Sequence, residues 1–206
     1  MRIITISREF GSGGRELGKR LADVLGWDYY DREIIDTVAK EEGMDADYVQ
    51  AVLERHEWWT VPLSFRRSFT VSTAPSTELL VKEKEVIERI GRTGRDCVIV
   101  GRNADFFLRE LDPFRIFVCA DREAKLRRCR ERAAESEQLS DKEIEKQMKR
   151  IDRSRASIRE LVAGDRWGSR ESCHLIVNTT DWELKALAPA VAEFARKYFE
   201  RNDPQP

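Results

Sequence analysis

Three glycines and a following arginine stand together in the run Ser7-Arg8-Glu9-Phe10-Gly11-Ser12-Gly13-Gly14-Arg15-Glu16. A β-branched segment, 2–7, precedes the run, and a pattern of period close to 3.6 follows it in Leu17, Leu21 and Leu25. Strand, glycine loop and helix in that order bring backbone N–H groups and the positive end of a helix dipole to one point, which suits phosphate. Gly11, Ser12, Gly13, Gly14, Arg15 and Glu16 are therefore the candidates for binding a phosphorylated cofactor. The loop departs from GxxxxGK[ST], because Gly14 stands at the lysine's place. Arg15, one place along, is the nearest following cation, although a guanidinium does not copy an ammonium wrapped by the loop. The competing reading is a glycine-rich turn needed only for close packing.

Two further patches carry charge suited to phosphate. Gly101-Arg102-Asn103 follows the apolar run 97–100, at the edge of an α/β sheet where ligands gather. Arg127, Arg128, Arg130 and Arg132, then Arg150, Asp152, Arg153 and Arg155, fall on two charged helices. Spacings 127/130 and 128/132 share helix faces, and arginine rather than lysine favours bidentate phosphate contacts over simple solvation. An isolated surface ion pair is the plainer fate of any one of them. His56 and His174 are isolated and support neither a metal site nor a catalytic triad. Trp58 and Trp59 suit packing under a loop or at the contact of a homodimer.

These residues need elements to position them. Short strands are expected at 27–30, 97–100, 114–119 and 174–178, besides the first at 2–7. Between them the sequence predicts a helix ending at Gly26, one carrying Ile34, Ile35, Val38 and Ala39, one around 45–54, and one from about Thr77 whose apolar stripe ends before Gly91 and Gly94. A helix or turn is expected at 104–111 and a basic helix at 121–134. Ser140 and Glu143 form a capping-box pattern ahead of a helix running to about Val162. A second such pattern, Thr180 and Glu183, precedes a C-terminal helix with Leu184, Leu187, Val191, Phe194 and Ala195 inward. The segment 56–76 has no sustained period. Strands alternating with helices at these lengths imply a three-layer α/β/α sandwich around a parallel sheet.

At 206 residues, with 41% hydrophobic residues, the chain can bury a real core, so disorder is not expected. Its net charge of −1 provides no broad field for nucleic acid or a membrane surface, so any anion site must be local. No apolar run approaches the ~18 residues of a membrane span. Cys97, Cys119, Cys129 and Cys173 form no CxxC pair, which fits a reducing, cytoplasmic setting.

The strings ITISREFGSGGRELGKRLAD, YYDREII, CVIVGRNADFFL, RSRASIRELVAGDRWG and HLIVNTTD occur in that order and resemble the cytidylate kinase-like family over nearly the whole chain. The resemblance implies a P-loop kinase fold with a five-stranded parallel sheet, a monophosphate-binding excursion at about 31–92 and a helical lid at about 121–164, within a single domain spanning 1–206. It implies ATP and Mg²⁺ as cofactors and a nucleotide as substrate. Gly11 to Arg15 match the family's phosphate loop, and Asp31 matches the acidic residue opening its monophosphate region. Gly101 and Arg102 match its acceptor-phosphate contact, and Asp152, Arg153 and Arg155 match its Asp-Arg-x-Arg stretch. Val100 stands where the family has an acidic residue, and Arg32-Glu33 follows Asp31 where residues holding cytidine monophosphate are expected.

These matches define expected roles. Arg15, Arg102, Arg128, Arg153 and Arg155 would act on the transferred phosphoryl group, and Asp31, Arg102, Asp152 and Arg155 would hold the acceptor. Glu16 and Asp31 could approach Mg²⁺ through water. The expected reaction is ATP-dependent phosphorylation of a nucleoside monophosphate, CMP or dCMP first. A kinase of another small phosphorylated acceptor and a non-catalytic nucleotide-binding protein stand as the alternatives.

Overall fold

The computed structural model describes residues 1–31, 77–101, 103–132 and 139–202. The helices expected near 34–39 and 45–54, the segment 56–76 and Arg102 lie outside the described residues. Five strands form one sheet: β1 (Ile3–Arg8), β2 (Asp28–Asp31), β3 (Cys97–Val100), β4 (Phe114–Cys119) and β5 (Leu175–Asn178). Their order is β2-β3-β1-β4-β5 and every pairing is parallel, so all five carboxyl ends lie on one edge.

The apolar runs of β1 and β3 are continuous because helices cover both faces of the sheet. Period two sends Ile4, Ile6, Val98 and Val100 to one core, against Leu17 and Leu21 of α1 (Gly14–Leu25) and Leu187, Val191 and Ala195 of the C-terminal helix α6 (Leu184–Asn202). The alternate residues Ile3, Cys97 and Ile99 enter a second core with Val86, Ile87 and Ile90 of α2 (Thr77–Arg92). The central strand is thus buried on both sides and fixes where the loop after it begins.

The basic helix α4 (Arg122–Arg132) and the long helix α5 (Asp141–Ala163) follow β4. The capping box of α5 forms as the sequence predicts: Ser140 Oγ accepts from the Glu143 N–H, and Glu143 reaches back to the Ser140 N–H. The segment 104–111 resolves into a short helix α3 (Ala104–Phe107) and a 3₁₀ turn (Arg109–Leu111). The apolar stripe of α2 ends at Ile90 and the helix closes at Arg92, ahead of Gly94; Gly91, within the last turn, faces Leu108, which would meet a Cβ at 2.8 Å.

Two expectations about the C-terminal helix are corrected. Thr180 does not cap it, because its hydroxyl donates to Asn178 Oδ1 and accepts from the Asp121 N–H; the first helical bonds instead end on the Glu183 carbonyl. Phe194 is half exposed; its ring stacks on Phe114 at 5.8 Å from the rim of the core.

Candidate active site

The loop between β1 and α1 is shaped by glycine. Gly11 and Gly13 take φ of 77° and 80°, a region open to glycine at little cost. Gly13 is the N-cap of α1 and places no side-chain cap over the first turn, so the leading N–H groups face the carboxyl edge of the sheet uncovered by a capping side chain. Neighbours close on the loop from outside: a Cβ at Gly11 would lie 3.1 Å from Cys129 Sγ, and one at Gly13 would lie 2.6 Å from Leu184 Cδ1.

Side chains from α4, α5 and the β5–α6 turn hold this loop, chiefly by its main chain. The Phe10 N–H donates to Asp152 Oδ1 at 2.8 Å. Arg155 Nη1 donates to the Arg8 carbonyl at 2.9 Å and to Asp152 Oδ1 at 3.0 Å. Lys125 Nζ pairs with Glu9 Oε2 at 2.8 Å. The fully buried Ser12 offers its carbonyl to Thr179 Oγ1 at 2.6 Å and to Arg128 Nη1 at 3.4 Å. Burial raises the Asp152 carboxyl above its usual range, opposed by Arg155 and by the Phe10 N–H. Burial lowers Arg128, and Arg127 and Arg132 add to the effect.

The structure therefore separates the arginines that the sequence grouped. Arg128 is buried and also donates to the Thr179 and Trp182 carbonyls, an arrangement that shapes the loop from behind. Arg132 binds Glu16, which also takes Arg20 Nε at 2.9 Å. Arg130 turns to Asp141 and Arg127 to the Thr180 carbonyl. Arg153 is exposed on α5. Arg15 points along the sheet edge, with Nε 2.6 Å from Asp31 Oδ2, and the Tyr29 hydroxyl lies 3.3 Å from the same oxygen. Arg15 is thus held by Asp31 at the end of β2, Glu16 by α4, and the loop's main chain by Asp152 and Arg155 of α5.

Sequence reasoning passes over Arg8, Glu9, Lys125 and Thr179. The signal for Arg8 and Glu9 is their place at the end of β1. Lys125 and Thr179 carry none, because their contacts cross 116 and 167 residues.

A glycine loop after the first strand, opening the first helix beside a parallel sheet of order β2-β3-β1-β4-β5, is the arrangement of P-loop kinases. The sequence model of the cytidylate kinase-like family matches residues 3–181. The chain belongs to this family. Among solved structures, an uncharacterised protein from Eubacterium ventriosum is similar with TM-score 0.70 and 20% identity, over 95% of this chain and 99% of that one. Shikimate kinase from Bacteroides thetaiotaomicron gives TM-score 0.54 and 14% identity over 95% and 98%. Shikimate kinase from Acinetobacter baumannii, in complex with shikimate, gives 0.53 and 15% over 96% and 94%. At these identities the likeness is one of fold. No curated protein matches the sequence.

Within this cytidylate kinase-like chain the donor set suits a nucleotide polyphosphate, which needs main-chain N–H groups at an uncapped helix start and nearby guanidinium groups. Mg²⁺ is served differently. Among the described residues no group of three His, Cys, Asp or Glu could hold a metal, and Glu16 and Asp31 are each bound by arginine. The described residues therefore form no metal cage. No helix among the described residues is long and apolar enough to cross a membrane.

Proposed function

We propose that this chain transfers the γ-phosphoryl group of ATP to a nucleoside monophosphate, with CMP or dCMP as the first acceptors to test. The observation that carries this reading is the glycine N-terminus of α1, uncapped by a side chain and braced through Asp152 and Arg155 of α5. A loop kept only for packing would not need three elements holding its carbonyls and N–H groups. Bound ATP would supply the phosphoryl group: the bond from its γ-phosphorus to the β,γ-bridging oxygen breaks as one forms to an acceptor phosphate oxygen, giving ADP and the nucleoside diphosphate.

The protein's part is alignment and charge neutralisation. Main-chain N–H groups of Gly11 to Gly14 hold the donor phosphates, and Arg15 adds charge at the Asp31 side. Arg102, next after Gly101 at the end of β3, holds the acceptor phosphate. Arg153 and Arg155 complete the site from α5, and Arg128 keeps the Ser12 carbonyl turned inward. Asp31 and Asp152 orient Arg15 and Arg155, so their effect on the acceptor passes through those guanidinium groups.

The test is coupled phosphoryl transfer from ATP·Mg²⁺ to CMP, dCMP, UMP, AMP, GMP and shikimate, with calorimetric ATP binding alongside. Turnover on one pyrimidine monophosphate, lost in R102A, is the expected result. Turnover on shikimate alone would make the chain a kinase of another acceptor, and ATP binding with no turnover on any would make it a binding protein.

A further inference from the structure

The loop lacks the lysine of a P-loop, and the structure shows what occupies its space. A Cβ built at Gly14 would lie 2.6 Å from Arg8 Cβ, 3.0 Å from Arg8 Cγ and 3.2 Å from Val118 Cβ. Arg8 Cβ is fixed by the β1 backbone and Val118 is fully buried, so neither can retreat. The volume above residue 14 holds one side-chain stem, and that stem is Arg8's. Its guanidinium reaches the end of β3, where a Cβ at Gly101 would lie 1.9 Å from Arg8 Nη1. Gly101 has φ of 90°. The charge of Arg8 is also felt at the Tyr29 hydroxyl, beside Arg15 and Asp31.

Positions 8 and 14 are related by more than contact. In GxxxxGK the first glycine and the lysine stand six residues apart, which is the separation of Arg8 from Gly14. The glycine and the cation of that pattern are exchanged here. We propose that Arg8 is the phosphate-binding cation of this loop, supplied from its first position, and that Gly14 is glycine because Arg8's stem fills its space. Arg8 then stands in the crevice between the ends of β1 and β3, where donor and acceptor phosphates meet. This rests on the kinase reading for the identity of the anion; the steric coupling of positions 8 and 14 does not.

Five variants test it: R8A, R8G, R8K, G14K and the exchange R8G/G14K, which writes the loop as Gly-Glu-Phe-Gly-Ser-Gly-Lys-Arg. Thermal unfolding without ligand reads the steric half. G14K should melt below the parent and R8G/G14K should recover, a non-additive cycle; equal melting of G14K and the parent would overturn the coupling. Calorimetric binding of ATP·Mg²⁺ and of inorganic tripolyphosphate reads the charge. R8A should weaken both by about tenfold or more, as loss of a charge-assisted contact does, and R8K and R8G/G14K should bind better than R8A. Where turnover is measured, R8A should lower kcat about 100-fold. Unchanged binding by R8A, with the parent binding well, overturns the role of Arg8 alone. A parent that binds no triphosphate overturns the kinase reading and, with it, this one.

Discussion

The Phe10 N–H, in the glycine loop, donates to Asp152 Oδ1 of α5 at 2.8 Å, across 142 residues of sequence. The same carboxylate orients Arg155, which in turn binds the Arg8 carbonyl. A helix read from the sequence as a lid is thus seated on the main chain of the loop.

Asp152 makes this seat pH-dependent. Its folded carboxyl lies above the ordinary value of 3.8 because of burial. Below that value it is protonated in both states and adds no penalty. As pH rises, ionisation favours the unfolded chain, and stability is lost until the folded pKa is passed. D152N keeps the Oδ1 acceptor without the charge, so its melting temperature relative to the parent should rise between pH 3 and pH 7. A constant difference across that range would disprove the assignment.

Thr179 anchors the loop from the β5 side. T179V keeps the shape but removes the hydroxyl that donates to the Ser12 carbonyl and accepts from Arg128. Removing the shorter bond to a buried carbonyl and one acceptor from a buried guanidinium should cost about 1–3 kcal/mol by urea unfolding. Nucleotide affinity should fall as well, since the Ser12 carbonyl keeps only its longer contact, to Arg128 at 3.4 Å.

Gly101 is the floor beneath Arg8. G101A forces a side chain to φ of 90°, at about 1–2 kcal/mol, and drives its Cβ into the Arg8 guanidinium. Melting should fall by several degrees, and ATP binding should weaken toward that of R8A. Wild-type affinity in G101A would show that the guanidinium can move without consequence.

Arg159, one helical turn beyond Arg155 on α5, is a second anchor. It is buried, donates to Asp105 Oδ2 at 2.6 Å and also pairs with Asp165. Contact with Arg159 holds the Asp165 carboxyl below its usual range. R159A strands Asp105, whose side chain is 12% exposed, and should cost about 3–5 kcal/mol. D165N should cost less, because Asp165 is 38% exposed and water can replace its partner. Equal losses from the two variants would refute this ranking.

The strands 97–100 and 114–119, the Gly26 terminus of α1, the Ser140–Glu143 cap and the glycine loop between β1 and α1 are legible in the residues alone. Each is written within a few residues, in period, capping chemistry or backbone freedom. The sequence also marked Asp31, Asp152 and Arg155, through the resemblance of their surrounding strings. What the side chains do depends on the folded arrangement. Arg128 turned to main-chain carbonyls, Arg15 to Asp31, and Thr180 to Asn178 and Asp121 instead of capping α6. Arg8 filled the space over Gly14, a position at which the sequence shows only that a lysine is missing. The reason is physical: a side chain's partners depend on which strands become neighbours. Here β1 lies between β3 and β4, each roughly a hundred residues further along the chain, and no local pattern encodes that juxtaposition.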